Sequence, residues 1–243
     1  MTAVLVVSSA EHSARVARLV TAHGPDIGRL CDACVDGLPG VGGAGLAVMT
    51  SLPAQQVRYA SNQVSARVEE LQVMLGEGPC VEAFGRGRPV LASDLDDPYW
   101  LRQWPVFAPA AVGAGARALF ALPLQVGAIC LGVVDLYREA PGVLAGDDLA
   151  EALAFADAAT ELLLAEHLPG GHVPGSGQIF SHRAVVHQAT GMVSAQLGVP
   201  VAEAFLRLRA YAYAAERSLD DVARDVVDRR LRFDESDHNE ASD

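Results

Sequence analysis

Between residues 180 and 233 the chain sets eight arginines against six acids, a balance of +2, and it contains no lysine at all. A planar guanidinium grips phosphate through two parallel hydrogen bonds and stacks on bases, so arginine suits contacts with RNA loops. The flanking segments lack this chemistry. Residues 1–179 carry 10 Arg against 19 acids (−9), and the last ten residues carry five acids and no Arg (−5). Segment charge, not the overall −12, decides which part of the chain can meet a polyanion. Only 180–233 qualifies, and a chain this acidic does not coat nucleic acid wholesale.

The spacing inside that segment sorts its residues onto helix faces. Val185, Val186, Ala189, Met192, Val193 and Leu197 cluster on one side at helical pitch. Arg183, His187, Gly191 and Ser194 recur at i, i+4, i+8 and i+11 on the other. A glycine in an exposed helix costs about 1 kcal/mol relative to alanine, and close approach of a partner backbone is one way to offset it. The next segment buries Val201, Phe205, Leu208, Ala212 and Ala215, leaving Glu203, Arg207, Ala210 and Ala214 outward. Arg209 and Tyr213 fall between the faces, and Arg217 sits at the following turn. Small neighbours let a phosphate or base reach Arg207 without obstruction. The bland alternative is an ordinary solvated surface with a tolerated glycine.

Other patterns resemble chemistry but lack its context. Gly40 to Gly45 matches G-x-G-x-x-G, yet a helix precedes it and a strand follows, the reverse of a dinucleotide-binding turn. Cys31 and Cys34 form a C-x-x-C without two further ligands at zinc spacing, and they read as small buried hydrophobes or a redox pair. Glu77, Asp94, Asp96 and Asp97 lie in Gly/Pro-rich turns, where acids cap backbone groups. No serine elbow, P-loop or HExxH is present, so no catalytic residue, no resident cofactor and no metal is expected.

The elements that must position these residues fall in two blocks. Pro169-Gly170-Gly171 to Gly177 cannot continue a helix and reads as a flexible linker, 169–179. Before it, an N-terminal extension (1–12) leads into a domain spanning 13–168. Its helices are expected at Ser13–Gly37, Ser61–Leu75 and Asp147–His167, with strands at Val41–Thr50 and Val90–Leu91. The apolar runs Ala116–Leu124 and Ala128–Tyr137 flank Gly127 as a hairpin. Pro98, Trp100, Trp104 and Pro105 suggest a loop. The fold class is α+β, an antiparallel sheet flanked by helices. After the linker, segments Phe180–Leu197, Pro200–Glu216 and one opened by the N-cap Ser218 form an all-α three-helix bundle over 180–233. An acidic tail, 234–243, follows; it reads as solvated, or as a phosphate mimic folded over the arginine face. Leu149, Leu153, Ala156, Thr160 and Leu163 follow a/d spacing, which suits a dimer seam or packing on the sheet. With no membrane-length apolar run and no disulfide framework, a cytoplasmic location without membrane association is expected.

The bundle resembles the ANTAR family of RNA-binding antiterminator modules. The residues carrying this are Arg183 to Gly191, Glu203 to Ala210 and Arg217 to Ala223. His187 stands where that family has an acid and Thr190 where it has lysine, which removes a phosphate-seeking charge. The preceding domain is similar to GAF domains of the kind joined to ANTAR modules in actinobacteria. That likeness rests on Leu75-Gly76-Glu77-Gly78-Pro79-Cys80, Pro89-Val90, Asp94-Leu95 and the runs around Gly127. The resemblance implies a signal-responsive protein that binds tandem-hairpin leader RNA and promotes antitermination, acting on transcribing RNA polymerase indirectly. Two hairpins imply two modules, hence a homodimer. Arg183, His187, Thr190, Gly191, Arg207, Arg209 and Arg217 would face RNA. Cys80, Trp100, Trp104 and Phe107 would line a small-molecule pocket of the GAF domain, or simply anchor a loop. Two rivals remain: a ligand sensor whose bundle contacts a protein instead of RNA, and a DNA-binding regulator. Arg224, Asp225 and Asp228 make the third helix a poor reader of the major groove.

Overall fold

The structure, a computed structural model, describes residues 9–49, 55–144, 146–166, 177–215 and 217–233, without the side chains of Ser9, 177–184, His187 and Ala202. The chain divides into two compact units, Met1–Val173 and Pro174–Asp243.

The first unit is built on five antiparallel strands in the order β2-β1-β5-β4-β3. They are β1 (Gly43–Met49), β2 (Gln55–Ala60), β3 (Val90–Ala92), β4 (Ala118–Val126) and β5 (Ile129–Arg138). The expected hairpin forms where Gly127 takes a positive φ of 60°, and Leu122 then pairs with Val134. Strand residues alternate between faces, and both faces of this sheet are covered. Ala118, Phe120, Leu122, Val134 and Leu136 pack toward α1 (Ser9–His23), α2 (Ile27–Gly37) and α7 (Asp147–Glu166). Leu119, Ala121, Val133 and Tyr137 face α3 (Gln63–Leu75), α4 (Pro79–Arg86), α5 (Pro98–Gln103) and α6 (Phe107–Gly113). Two covered faces explain the unbroken apolar runs of β4 and β5.

Two expectations are corrected, and one left open is decided. The stretch Ser13–Gly37 is two helices: Pro25 has no N–H to extend the first, and Asp26 caps the second by accepting from Arg29 N at 3.2 Å. The Trp/Pro loop is largely helical, since Asp97 caps α5 with Pro98 in its first turn, and Glu77 accepts from Val106 N and Phe107 N at α6. The a/d stripe of α7 packs within its own unit; Ala156, Thr160 and Leu163 are buried and Leu149 and Leu153 lean on the same core. Of the two readings the spacing allowed, packing within the domain is the one observed.

Asn62 anchors the start of α3. Its side chain accepts from Ser65 N at 3.0 Å, Ser65 Oγ accepts from Asn62 N, and Asn62 Nδ2 donates to Gly42 O at 2.8 Å. Asn62→Ala is expected to cost about 1–2 kcal/mol. Urea unfolding followed by tryptophan emission checks this selectively, because both tryptophans, Trp100 and Trp104, belong to this unit.

The second unit packs α8 (Gly177–Leu197), α9 (Val201–Ala214) and α10 (Leu219–Val227) against one another. Helix α8 starts at Gly177, so the last three residues of the expected linker are helical; 169–176 and the acidic tail lie outside the described residues. Residues 1–8 do too, and the rest of the expected N-terminal extension lies in α1. Gly198, at φ 65°, ends α8, and Ser218 caps α10 by accepting from Asp221 N at 3.1 Å. The core is Ala189, Val193, Leu197, Ala204, Leu208, Ala212, Leu219, Val222, Ala223 and Val226. Val201 and Ala215, expected inside, are exposed, because the buried row of α9 runs through Ala204, Leu208 and Ala212. Among the described residues no helix is long and apolar enough to cross a membrane.

Candidate nucleic-acid interface

Gly191 lies on the outer side of α8, and a Cβ built there meets nothing within 4 Å. No packing inside the bundle demands a glycine at this point. Arg183 and His187 share its helical row, but their side chains lie outside the described residues. Thr190 does not join that row. It is only 3% exposed and its hydroxyl donates to Val186 O at 2.7 Å. At helical pitch Thr190 sits beside Leu197, on the inner edge of the row; a lysine stem there can snorkel outward, whereas a threonine bonds its own backbone. The expected polar contact from Thr190 is therefore withdrawn.

On α9, Arg207 is partly exposed and held along the helix by Glu203, whose Oε1 accepts from Nε at 3.2 Å and Nη2 at 2.7 Å. Arg209 lies over the Phe205 ring, 5.6 Å from its centroid, and partial burial lowers its pKa below that of a free guanidinium. Arg217, at the turn into α10, donates to Asp225 at 2.6 Å. Arg230 reaches the same carboxylate at 2.8 Å, and these two bonds hold Asp225 below the usual carboxylate range. Each arginine is thus pre-aligned by an acid or a ring, and a phosphate would exchange for a carboxylate. Sequence reasoning passed over Leu206, which is 58% exposed beside Tyr213 at 51%. The signal was available, since both project opposite the row Ala204, Leu208 and Ala212.

In the first unit, Cys80, Trp104 and Phe107 are buried in one core with α3 and α4, and Trp100 stacks on Trp104 with ring centroids 4.6 Å apart. Trp104 meets Phe107 edge-on at 6.2 Å. The aromatics pack on one another, as anchoring residues do. Cys31 and Cys34 are also buried, and desolvation, with Asp32 and Asp26 nearby, pushes the Cys31 thiol up to about 12. These are thiols inside a core, not thiolates.

The GAF-domain family model matches residues 26–163, more than half of the chain, and the ANTAR-domain model matches 179–227. The chain belongs to the GAF–ANTAR regulators.

Solved structures similar to the chain share little identity with it. A GAF domain from an Acinetobacter phosphoenolpyruvate-protein phosphotransferase is 12% identical with a TM-score of 0.47, covering 66% of this chain and 96% of its own. A type II free methionine-R-sulfoxide reductase from Thermoplasma acidophilum is 15% identical with a TM-score of 0.39, covering 63% and 94%. No curated protein matches the chain. In a GAF–ANTAR regulator the first domain is a sensor and the second an RNA-binding antitermination domain.

The open side of α8 gives the ANTAR module a direct test. Gly191→Ala should raise its helix stability by about 1 kcal/mol, since nothing obstructs the methyl group. RNA affinity should fall several-fold if a polynucleotide backbone approaches there. A circular-dichroism melt paired with fluorescence anisotropy reads both, and unchanged affinity would remove Gly191 from the interface.

Proposed function

We propose that this GAF–ANTAR regulator binds tandem-hairpin leader RNA through the outer side of α8 and α9, favouring antitermination when its GAF domain receives a signal. The observation that carries the proposal is the set of three arginines on α9 and the turn after it: Arg207, Arg209 and Arg217 each reach the surface in a pre-aligned pose. The uncovered Gly191 on α8 supports it. Arg183 and His187 extend the row by sequence. Bound hairpins would be stabilised over a terminator, so transcribing polymerase is affected only indirectly. Two hairpins call for two modules, and a homodimer in the cytoplasm fits that need; its contacts lie elsewhere than the α7 stripe.

One observation favours a second reading. Val201, Leu206 and Tyr213 expose apolar surface on α9, which would also suit a protein partner. Crosslinking in cells followed by sequencing of recovered RNA separates the two. Enrichment of paired-hairpin leaders supports the RNA reading; recovery of no RNA above background, with a protein retained, supports the other.

A further inference from the structure

A further cluster lies within the first unit, on the α3/α4 side of the GAF sheet. Glu69 of α3 is 1% exposed and Asp135 of β5 is 3% exposed, and Cys80 of α4 is wholly buried beside them. One carboxylate oxygen of each acid and Cys80 Sγ all lie within 4.8 Å of one another. The groups held against Asp135 are Glu69, Gln72 and Cys80, none of them basic. Its Oδ2 accepts from Gln72 Nε2 at 2.8 Å, while the buried Oδ1 receives no donor. A desolvated carboxyl group such as that of Asp135, held by no basic group, is costly, and such a group is compensated by a proton or a metal.

The surroundings are arranged around this cluster. Gly45, paired with Asp135 across the sheet, leaves room for Glu69; a Cβ there would come within 2.2 Å of Glu69 Oε1. Gln72 holds Asp135 with its nitrogen and accepts from Cys80 N at 2.7 Å with its oxygen, fixing two members at once. Met49 Sδ lies 4.0 Å from Cys80 Sγ. One thiol and two carboxylates form a mixed soft and hard donor set, which suits zinc-class ions over magnesium or calcium.

We propose that Glu69, Cys80 and Asp135 form a buried binding site for one divalent transition-metal ion of the zinc class. Binding displaces the thiol proton, and the thiolate and carboxylates close around the ion at about 2.0–2.3 Å. The donor atoms reach this spacing by small side-chain shifts. Three protein donors leave the fourth position of a tetrahedral ion open, but an ion held by them still ties α3, α4 and β5 together, so it should stabilise the domain by linkage.

The untagged full chain is stripped with chelator and titrated with zinc(II), then cobalt(II). One equivalent should bind, the tryptophan-monitored melting temperature should rise, and cobalt should give a thiolate charge-transfer absorption. Cys80→Ser should abolish that absorption, whereas Cys31→Ala with Cys34→Ala should retain it. Gln72→Ala should weaken binding by about 10- to 100-fold. If Cys80→Ser fails to fold, Asp135→Asn, which keeps the side chain's shape, must weaken zinc binding at least as much. Absence of stoichiometric binding, an absorption that survives Cys80→Ser, or unchanged affinity in Asp135→Asn overturns the site and leaves a shared proton between the acids.

Discussion

Replacing Arg207 and Arg209 together with alanine is expected to weaken RNA binding by about 2–4 kcal/mol, roughly 30- to 1,000-fold in Kd. Each arginine lost should also lower the slope of log Kd against log salt by about 1. Arg207 already lies along α9 in the grip of Glu203, so little side-chain freedom remains to be lost when phosphate replaces the carboxylate. Arg209 rests on Phe205, where its face is shielded from water and its charge acts in a lower dielectric. Neither belongs to the buried row of Ala204, Leu208 and Ala212, so the double variant should keep its fold. Helical content by circular dichroism is the control. If the bundle binds a protein instead, Leu206→Ser should be the damaging change and the arginine pair nearly silent.

The second large effect concerns the module's stability. Leu208 is fully buried where α9 packs into the three-helix core. Truncation to alanine should cost about 2–5 kcal/mol through lost burial and the cavity left behind. A bundle this small has little stability to lose. Leu208→Ala should therefore unfold the ANTAR module and abolish RNA binding, while tryptophan emission from Trp100 and Trp104 keeps the transition of the GAF unit in place. A single shared transition, displaced as a whole by the mutation, would show that the two units do not unfold independently.

Much of the architecture was legible because local signals agreed. Two apolar runs on either side of Gly127 announced the β4–β5 hairpin, and Ser218 with Asp220 and Asp221 announced α10. The missed elements lacked such agreement. Strand β2 is partly exposed along its whole length and mixes Gln55, Gln56 and Arg58 with Val57 and Tyr59, so no face stands out. The amphipathic pattern runs on across Pro25 and disguises the break between α1 and α2. Helix α5 hides in a segment whose prolines and tryptophans suggest a loop, although Asp97-Pro98 is itself a helix start.

The candidate site shows the same division. Gly191 is as open as its spacing implied, whereas Thr190 turned out to be buried because one helical step carries it beside Leu197. Glu69 and Asp135 escaped attention because 66 residues separate them in sequence. Only the pairing of Gly45 with Asp135, and the packing of α3 on that strand, brings them together. Long-range pairings of this kind leave no periodic trace in the chain.

The most direct measurement is an anisotropy titration of the full-length protein against a recovered two-hairpin leader RNA across a range of potassium chloride, with duplex DNA as competitor. An RNA-binding arginine surface should give tight binding that weakens steeply with salt, resists duplex DNA and loses slope when Arg207 and Arg209 are removed. Binding that is absent, or equally strong at all salt concentrations and indifferent to both arginines, would rule such a surface out.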